Sequence, residues 1–210
     1  MKNRVLVRYY TPWLIVPAFA MYFIFFLFPN FLSLFVGFTD WSMYNFKDPR
    51  LNGLTNFVQM FTNPVFYTSV KNTFYFAFVT TIGKVVLGLF LAVIVNRGLL
   101  LKNFYRLILF SPVMLSAIVL SLIFSAIYHP AEGLLNGFLN AVGLDFLAKP
   151  WLIDVRYAMN SICAMDIWSG TGVTMVIFLA GLQAVPKDIY ESSTIDGANE
   201  MQKLWRITIP

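Results

Sequence analysis

The amino-acid sequence predicts an all-α polytopic membrane protein. Hydrophobic residues make up 59% of the 210 residues and charged residues only 12%, which is about half the charged share of a typical globular domain. A soluble domain of this size could not bury so much apolar surface. The apolar residues also fall into long uninterrupted runs, and a helix needs about 20 such residues to cross a bilayer.

Four apolar runs mark the predicted transmembrane helices. The spans are predicted at about 12–38, 72–95, 107–128 and 158–183. No charged residue occurs between Arg8 and Asp40, and this stretch is longer than the apolar core of a cleaved signal peptide. The first span is therefore predicted to be retained, and residues 1–210 to form a single transmembrane domain.

Lysine and arginine residues predict the orientation of these spans. The predicted inner segments carry Lys2, Arg4, Arg8, Arg97, Lys102, Arg106, Lys187, Lys203 and Arg206. The predicted outer loops, near 40–71 and 129–157, carry only Lys47, Arg50, Lys71, Lys149 and Arg156. Because cytoplasmic loops hold the excess of basic residues, the N-terminus is predicted to be cytoplasmic. The net charge of +5 does not indicate nucleic-acid binding, since these residues lie at the ends of apolar runs.

Residues 186–210 contain the longest polar-rich stretch of the chain. Pro186 is suited to the start of a helix. Asp188 and Glu191 would lie in its first turns, where the helix dipole favours carboxylates. Gly197 suits the left-handed position that ends a helix, and a second helical run follows it. The pattern predicts a helix, a glycine turn and a helix, although an amphipathic connector with a solvated face would have a similar charge pattern.

One set of spacings in this segment is specific. Glu191, Ser192 and Ser193 are followed after three residues by Gly197, and after nine further residues by Ile207, one intervening residue and Ile209-Pro210. This resembles the cytoplasmic loop of ABC importer permeases, whose motif is Glu-Ala-Ala, three residues, Gly, nine residues, Ile, one residue and Leu-Pro. The Asp-Gly-Ala run at 196–198 resembles the sugar-importer branch, which includes maltose, glycerol-phosphate and lactose types.

The resemblance implies that the segment docks on a separate ATPase. The docking residues would be Glu191, Ser192, Ser193, Asp196, Gly197, Ala198, Ile207 and Pro210. It also implies two ATPase subunits, a second permease that is different or identical, and an external substrate-binding protein. The setting would be a bacterial or archaeal inner membrane. ATP and Mg²⁺ would be bound by the ATPase and no cofactor by this chain.

The sequence contains no recognisable catalytic constellation. There is no phosphate-binding loop of the Gly-x4-Gly-Lys-Ser/Thr type and no nucleophile elbow. Cys163 and His129 are the single cysteine and histidine, so neither a disulfide nor a metal cluster is expected. The chain is predicted to be no enzyme but the translocation path for a sugar or related carbohydrate. Permeases of this type typically cross six times, so a chain with four spans is expected to be truncated at its C-terminus.

Two charges fall inside predicted spans, Lys84 in the second and Asp166 in the fourth. Because a charge at the bilayer centre costs about 3 kcal/mol, they are expected to form an ion pair, or Lys84 to reach into a wet interior. Alternatively, Lys84, Asp166, Trp168 and Ser169 line the substrate path, where a carboxylate accepts hydrogen bonds and an indole covers a sugar ring. A third hypothesis is an ion-coupled transporter or channel that uses both charges.

Overall fold

The computed structural model describes Trp13, residues 15–96 and residues 101–209. Most of these residues are helical, which confirms the predicted all-α class; within the described ranges, strand-like pairing is limited to one bridge between Thr39 and Leu51. The chain divides into two compact units, Met1–Val70 and Lys71–Pro210.

The N-terminal unit contains the first candidate membrane span, Ile15–Val36, against a prediction of 12–38. It consists of α1 (residues 15–22), a π-helical turn Phe23–Leu27, and α2 (Phe28–Val36). Pro29 lies in the first turn of α2. Since proline has no N–H to donate to the preceding turn, Pro29 accounts for the π-helical turn just before it.

The segment that follows α2 is folded by side-chain bonds to the backbone. The Asp40 carboxylate accepts the N–H of Arg50 at 2.7 Å, and the Asn56 amide donates to the carbonyl of Thr39 at 2.7 Å. Asn56 belongs to α3 (Thr55–Thr62). This part of the predicted outer loop is therefore ordered rather than extended.

The second and fourth spans are long single helices. The second, α4 (Pro64–Asn96), begins before the predicted limit at residue 72. The fourth, α8 (Val155–Ala184), contains the predicted range 158–183. At 1.5 Å per residue, α4 is about 50 Å long, more than the roughly 30 Å hydrocarbon core of a bilayer. Its polar first turns therefore extend beyond the span, where a hydropathy pattern does not reveal them.

The third span differs from the single helix predicted at 107–128. It consists of α5 (Lys102–Phe110), a 3₁₀ turn (Ser111–Met114) and α6 (Ala117–Ile127), and the two parts are bent by 99°. Pro112 lies in the 3₁₀ turn. The Ser116 hydroxyl caps α6 by accepting the N–H of Val119 at 3.3 Å. A proline followed by a new helix cap divides the segment in two.

Helices α4 and α8 pack side by side in parallel. The Tyr75 hydroxyl donates to Asn160 at 2.5 Å, and two turns further on Lys84 meets Asp166. Nearer the C-terminal ends, Ala92, Val95, Met175, Leu179 and Leu182 form the buried core. Because the contacting residue numbers rise together on both helices, the two helices run in the same direction, and as membrane spans they would start on the same side.

A parallel pair requires that the chain between the two helices returns to the first side. The bent segment does so along α8, with Gly172 against Leu109, the Phe124 ring against Trp168 at 5.5 Å, and the Tyr128 hydroxyl donating to Ser161 at 3.4 Å. Residue numbers rise along the bent segment as they fall along α8. Counted as one broken span, the bent segment brings the candidate membrane spans among the described residues from three to four.

Two short helical elements and several hydrogen bonds organise the predicted second outer loop. The loop contains α7 (Leu134–Ala141) and a 3₁₀ turn, Asp145–Leu147. It leads to Asp154, which caps α8 by accepting the N–H of Arg156 at 2.9 Å. The hydrogen bonds from the Arg156 side chain and backbone hold the pKa of the Asp154 carboxyl below its usual range.

Candidate functional site

The polar segment after α8 forms the predicted helix, turn and helix. Its first arm is α9 (Lys187–Ile195), and Pro186 precedes the helix as its cap, with φ −59° and ψ 137°. The predicted position of Pro186 inside the first turn is therefore off by one residue. Asp188 lies in the first turn, where the helix dipole favours a carboxylate.

Gly197 ends α9 in the manner that its position in the sequence predicted. Its φ is +79°, and its N–H donates to the carbonyl of Thr194 at 3.1 Å while the Ala198 N–H donates to that of Ser193 at 2.9 Å. This double closure is the Schellman motif. No atom lies within 4 Å of where a Cβ would be, so backbone conformation alone favours glycine here.

The second arm starts with a reciprocal cap. The Asn199 side chain accepts the N–H of Gln202 at 2.9 Å, and the Gln202 side chain accepts the N–H of Asn199 at 2.9 Å. This is a capping box built from two amides. It starts α10 (Glu200–Lys203), which continues as a π-helical turn, Leu204–Thr208. Pro210, the last predicted docking residue, lies outside the described residues.

Most of the predicted docking residues meet around one cleft, and we call residues 187–209 the docking loop. A cleft of about 350 Å³ is lined by Ser193, Asp196, Gly197, Ala198, Gln202, Arg206 and Ile207. Ser193 is buried and donates to the carbonyl of Tyr190 at 2.7 Å. Glu191 and Ser192 are exposed on α9. The loop therefore presents both a concave surface and a solvent-facing helix.

The docking loop also exposes large apolar side chains that sequence reasoning missed. Ile195 is 87% exposed, and Met201 and Trp205 are each 63% exposed. Exposed apolar side chains become interaction surfaces where they form a contiguous patch. Their apolar character within a polar stretch was the available signal.

Lys84 and Asp166 form the ion pair that was one of the sequence hypotheses. Lysine Nζ and aspartate Oδ2 are 2.5 Å apart, with side chains 26% and 29% exposed. Gly170 lies one turn beyond Asp166, and a Cβ there would be 2.7 Å from Cε of Lys84. The missing side chain at Gly170 thus opens the route by which the lysine crosses α8.

The other two substrate-path candidates lie elsewhere on α8. Trp168 borders an apolar cavity of about 770 Å³ between α4, α8 and the break after α5, together with Phe90, Ser111 and Thr171. Ser169 donates to the carbonyl of Asp166 at 3.2 Å, within its own helix. Trp168 therefore lines this cavity, whereas neither Lys84 nor Asp166 does.

Asn136 was not singled out from the sequence but organises the second outer loop. It is 5% exposed, and its amide donates to the carbonyls of Pro130 at 3.0 Å and Lys149 at 3.1 Å. Its carbonyl accepts the indole N–H of Trp151 at 2.7 Å. One buried amide thus holds both ends of a loop more than ten residues long, a contact without any sequence periodicity.

Comparison with known proteins identifies similar chains. Residues 84–210 match the family model described as "Binding-protein-dependent transport system inner membrane component". The chain is 34% identical over 198 residues to the "Probable ABC transporter permease protein YurN" of Bacillus subtilis, covering 93% of this chain and 67% of that protein. It is 33% identical over 214 residues to the "Diacetylchitobiose uptake system permease protein NgcF" of Streptomyces coelicolor, covering 97% and 60% respectively.

The fold also resembles a solved structure. A chain of a bacterial ABC transporter involved in the import of the acidic polysaccharide alginate superposes with a TM-score of 0.79 at 22% identity. The superposition covers 99% of this chain and 70% of that one. At this identity the similarity establishes the arrangement of helices.

Proposed function

We propose, from the membership of this chain in the binding-protein-dependent transport system inner membrane component family, that its cargo is a carbohydrate and that a separate ATPase powers the transport. As a member of that family the chain is a translocation subunit of an importer and not an enzyme. Membership rests on the family match over residues 84–210 and on 34% identity to a relative of which it covers 67%. The predicted family and the predicted multi-pass membrane location are thereby confirmed.

The docking loop is the observation that carries the proposed link to an ATPase. It is already folded, with a Schellman turn at Gly197 and a capping box at Asn199. Preorganisation lowers the entropy cost of association, and the exposed Ile195 supplies apolar area for a partner. One ATPase would bind this loop and a second would bind the companion permease, with ATP and Mg²⁺ held by the ATPases.

The proposed carbohydrate cargo is supported by the relatives and by one cavity. Two of the similar proteins carry a saccharide in their descriptions, diacetylchitobiose for one and alginate for the other. In this chain Trp168 borders the 770 Å³ cavity beside the hydroxyl-bearing Ser111 and Thr171. An indole ring can cover the C–H surface of a sugar, and hydroxyl groups can exchange hydrogen bonds with its oxygens. An external binding protein would deliver the sugar to this path.

We propose a cytoplasmic location for the docking loop and the N-terminus. Val93 and Asn96, at the end of α4, share a cavity of about 300 Å³ with Tyr190 and Thr208 of the loop, so these segments lie on one side of the membrane. The basic residues concentrate on that side, as the positive-inside rule requires of the cytoplasm. Four crossings then return the N-terminus to the same side.

Replacing Ile195 by serine tests the docking surface and its orientation together. Membrane vesicles carrying the assembled permeases, stripped of ATPase, are mixed with purified ATPase, and bound ATPase is measured after sedimentation. We expect inside-out vesicles to bind ATPase and right-side-out vesicles not to. Because Ile195 is 87% exposed, its replacement removes apolar contact with a partner and costs about tenfold or more in affinity, as an interface anchor does.

Ile153 provides the matched control, since it is another isoleucine with 71% exposure but lies just before α8, on the opposite side. Ile153→Ser should bind ATPase like the parent protein. Equal ATPase binding by the parent and by Ile195→Ser would remove Ile195 from the docking surface. Binding to right-side-out vesicles would reverse the proposed orientation.

A further inference from the structure

The two arms of the docking loop are joined by a hydrogen bond between hydroxyl groups. The Tyr190 oxygen of α9 lies 3.1 Å from Oγ1 of Thr208, at the end of the π-helical turn. Oγ1 of Thr208 also lies 3.2 Å from the carbonyl of Lys203, to which it donates. Because the threonine hydroxyl has one proton, the tyrosine is the donor in the first bond.

Tyr190 lies on the side of α9 that faces the membrane spans. It is half-buried, and with Thr208 it lines the 300 Å³ cavity that also includes Val93 of α4 and Leu182 of α8. Glu191, the next residue along the chain, is exposed. The helix thus has one side for a partner and one side for the ends of the spans, and Tyr190 belongs to the second.

The backbone at Tyr190 is held as firmly as its side chain. Its carbonyl accepts the hydroxyl of Ser193 at 2.7 Å and that of Thr194 at 2.7 Å. Beyond this point the chain turns at Gly197, which adopts the left-handed conformation. The Tyr190–Thr208 bond joins the segments on either side of this turn, so that the second arm is fixed relative to α9.

We propose that Tyr190 and Thr208 are positioning residues that make the docking loop one rigid lever. The second arm then keeps a fixed position relative to α9 when an ATPase binds, instead of rotating about the glycine turn. This inference rests on the proposed docking function and adds a mechanical role for two hydroxyl groups that the motif comparison does not include among the docking residues.

The distance between the two arms of the docking loop in the assembled importer tests the proposal. Nitroxide labels are placed at Asp188→Cys on α9 and at the exposed Met201→Cys on the second arm, both in a Cys163→Ser background, and distances are measured by EPR. Distances are measured without nucleotide and with ATP, Mg²⁺ and vanadate. A rigid docking loop predicts one narrow distance distribution that persists when nucleotide is added, because the two arms keep one relative position.

Tyr190→Phe and Thr208→Val each remove one hydroxyl and keep the shape of the side chain. With nucleotide present, we expect either change to lower the ratio of the main distance population to the others by about fivefold, the factor that corresponds to one hydrogen bond of about 1 kcal/mol. The double variant should be no worse than Thr208→Val alone, since Thr208→Val already removes the Tyr190 bond together with the bond to the Lys203 carbonyl. Thr208→Ser keeps the hydroxyl and should restore the parental distribution.

Tyr105→Phe is the control, because this exposed tyrosine of α5 lies outside the loop. It should leave the distribution unchanged. A parental distribution in Tyr190→Phe, or additive losses in the double variant, would overturn the lever. ATPase that fails to co-purify even with the parent protein would instead overturn the proposed docking function. The two failures are therefore distinguishable.

Discussion

Replacing Gly172 by alanine is expected to separate the broken third span from α8 and to lower thermal stability sharply. A Cβ at Gly172 would overlap the carbonyl oxygen of Leu109 and lie 2.8 Å from Cα of Phe110. These are backbone atoms at the end of α5, and they cannot turn away as the end of a flexible side chain can. Overpacking of this kind typically costs about 1–3 kcal/mol, and we expect the upper end of that range.

The measurement is the melting temperature of the detergent-solubilised protein. Gly181 of α8 serves as the matched control, because it lies in the same helix and no atom lies within 4 Å of its Cβ position. Gly181→Ala should hold or slightly raise the melting temperature, since alanine favours a helix by up to about 1 kcal/mol over glycine. If Gly172→Ala melts with the parent, the close approach of α5 and α8 is wrong.

Removing either charge of the Lys84–Asp166 pair is expected to destabilise the protein more than removing both. Lys84→Met would leave the Asp166 carboxylate in the α4–α8 interface without the cation 2.5 Å away. An unpaired charge within the membrane costs about 3 kcal/mol. The double variant Lys84→Met/Asp166→Leu leaves no charge behind, and replacing a whole buried pair by apolar side chains is often neutral.

A double-mutant cycle on melting temperature measures this coupling. Lys84→Asp combined with Asp166→Lys should also be tolerated better than either single change, if the pair serves structure. Losses that simply add would show that the two charges act independently. Sugar uptake that falls in Asp166→Asn while its stability holds would favour the ligand role of Asp166 instead.

The position of this pair weakens the hypothesis of an ion-coupled carrier. Both side chains meet between α4 and α8, and Gly170 leaves room for the lysine to do so. The large cavity opens instead toward Trp168 on another side of α8. An ion pair between two packed helices is explained by a structural role, which needs no transported ion, and the mutant cycle above tests that role.

The sequence predicted those features that depend on local pattern or on depth in the membrane. Apolar runs predicted the three long candidate spans and the region of the bent helix pair, and the need for a left-handed residue located the turn at Gly197. The ion pair followed from two charges at similar depths in their spans. Each of these inferences uses only residues that are close in sequence or the thickness of the bilayer.

The features that the sequence did not reveal depend on contacts between distant residues. Pro112 is compatible with the first turn of a straight helix, so the 99° break after α5 could not be distinguished from one. The Asn136–Lys149 and Tyr190–Thr208 hydrogen bonds join residues that are 13 and 18 positions apart, respectively. No hydrophobic period marks such polar pairs, and only the folded backbone brings them together.

Uptake into sealed vesicles tests the central claim, that the chain is the path of an ATP-driven carbohydrate importer. The assembled importer is reconstituted with its ATPase side inward, ATP and Mg²⁺ inside, and binding protein outside with a panel of labelled oligosaccharides that includes diacetylchitobiose and alginate fragments. We predict accumulation of at least one saccharide that requires both internal ATP and external binding protein. Uptake that follows a proton or sodium gradient and persists without ATP would contradict the claim.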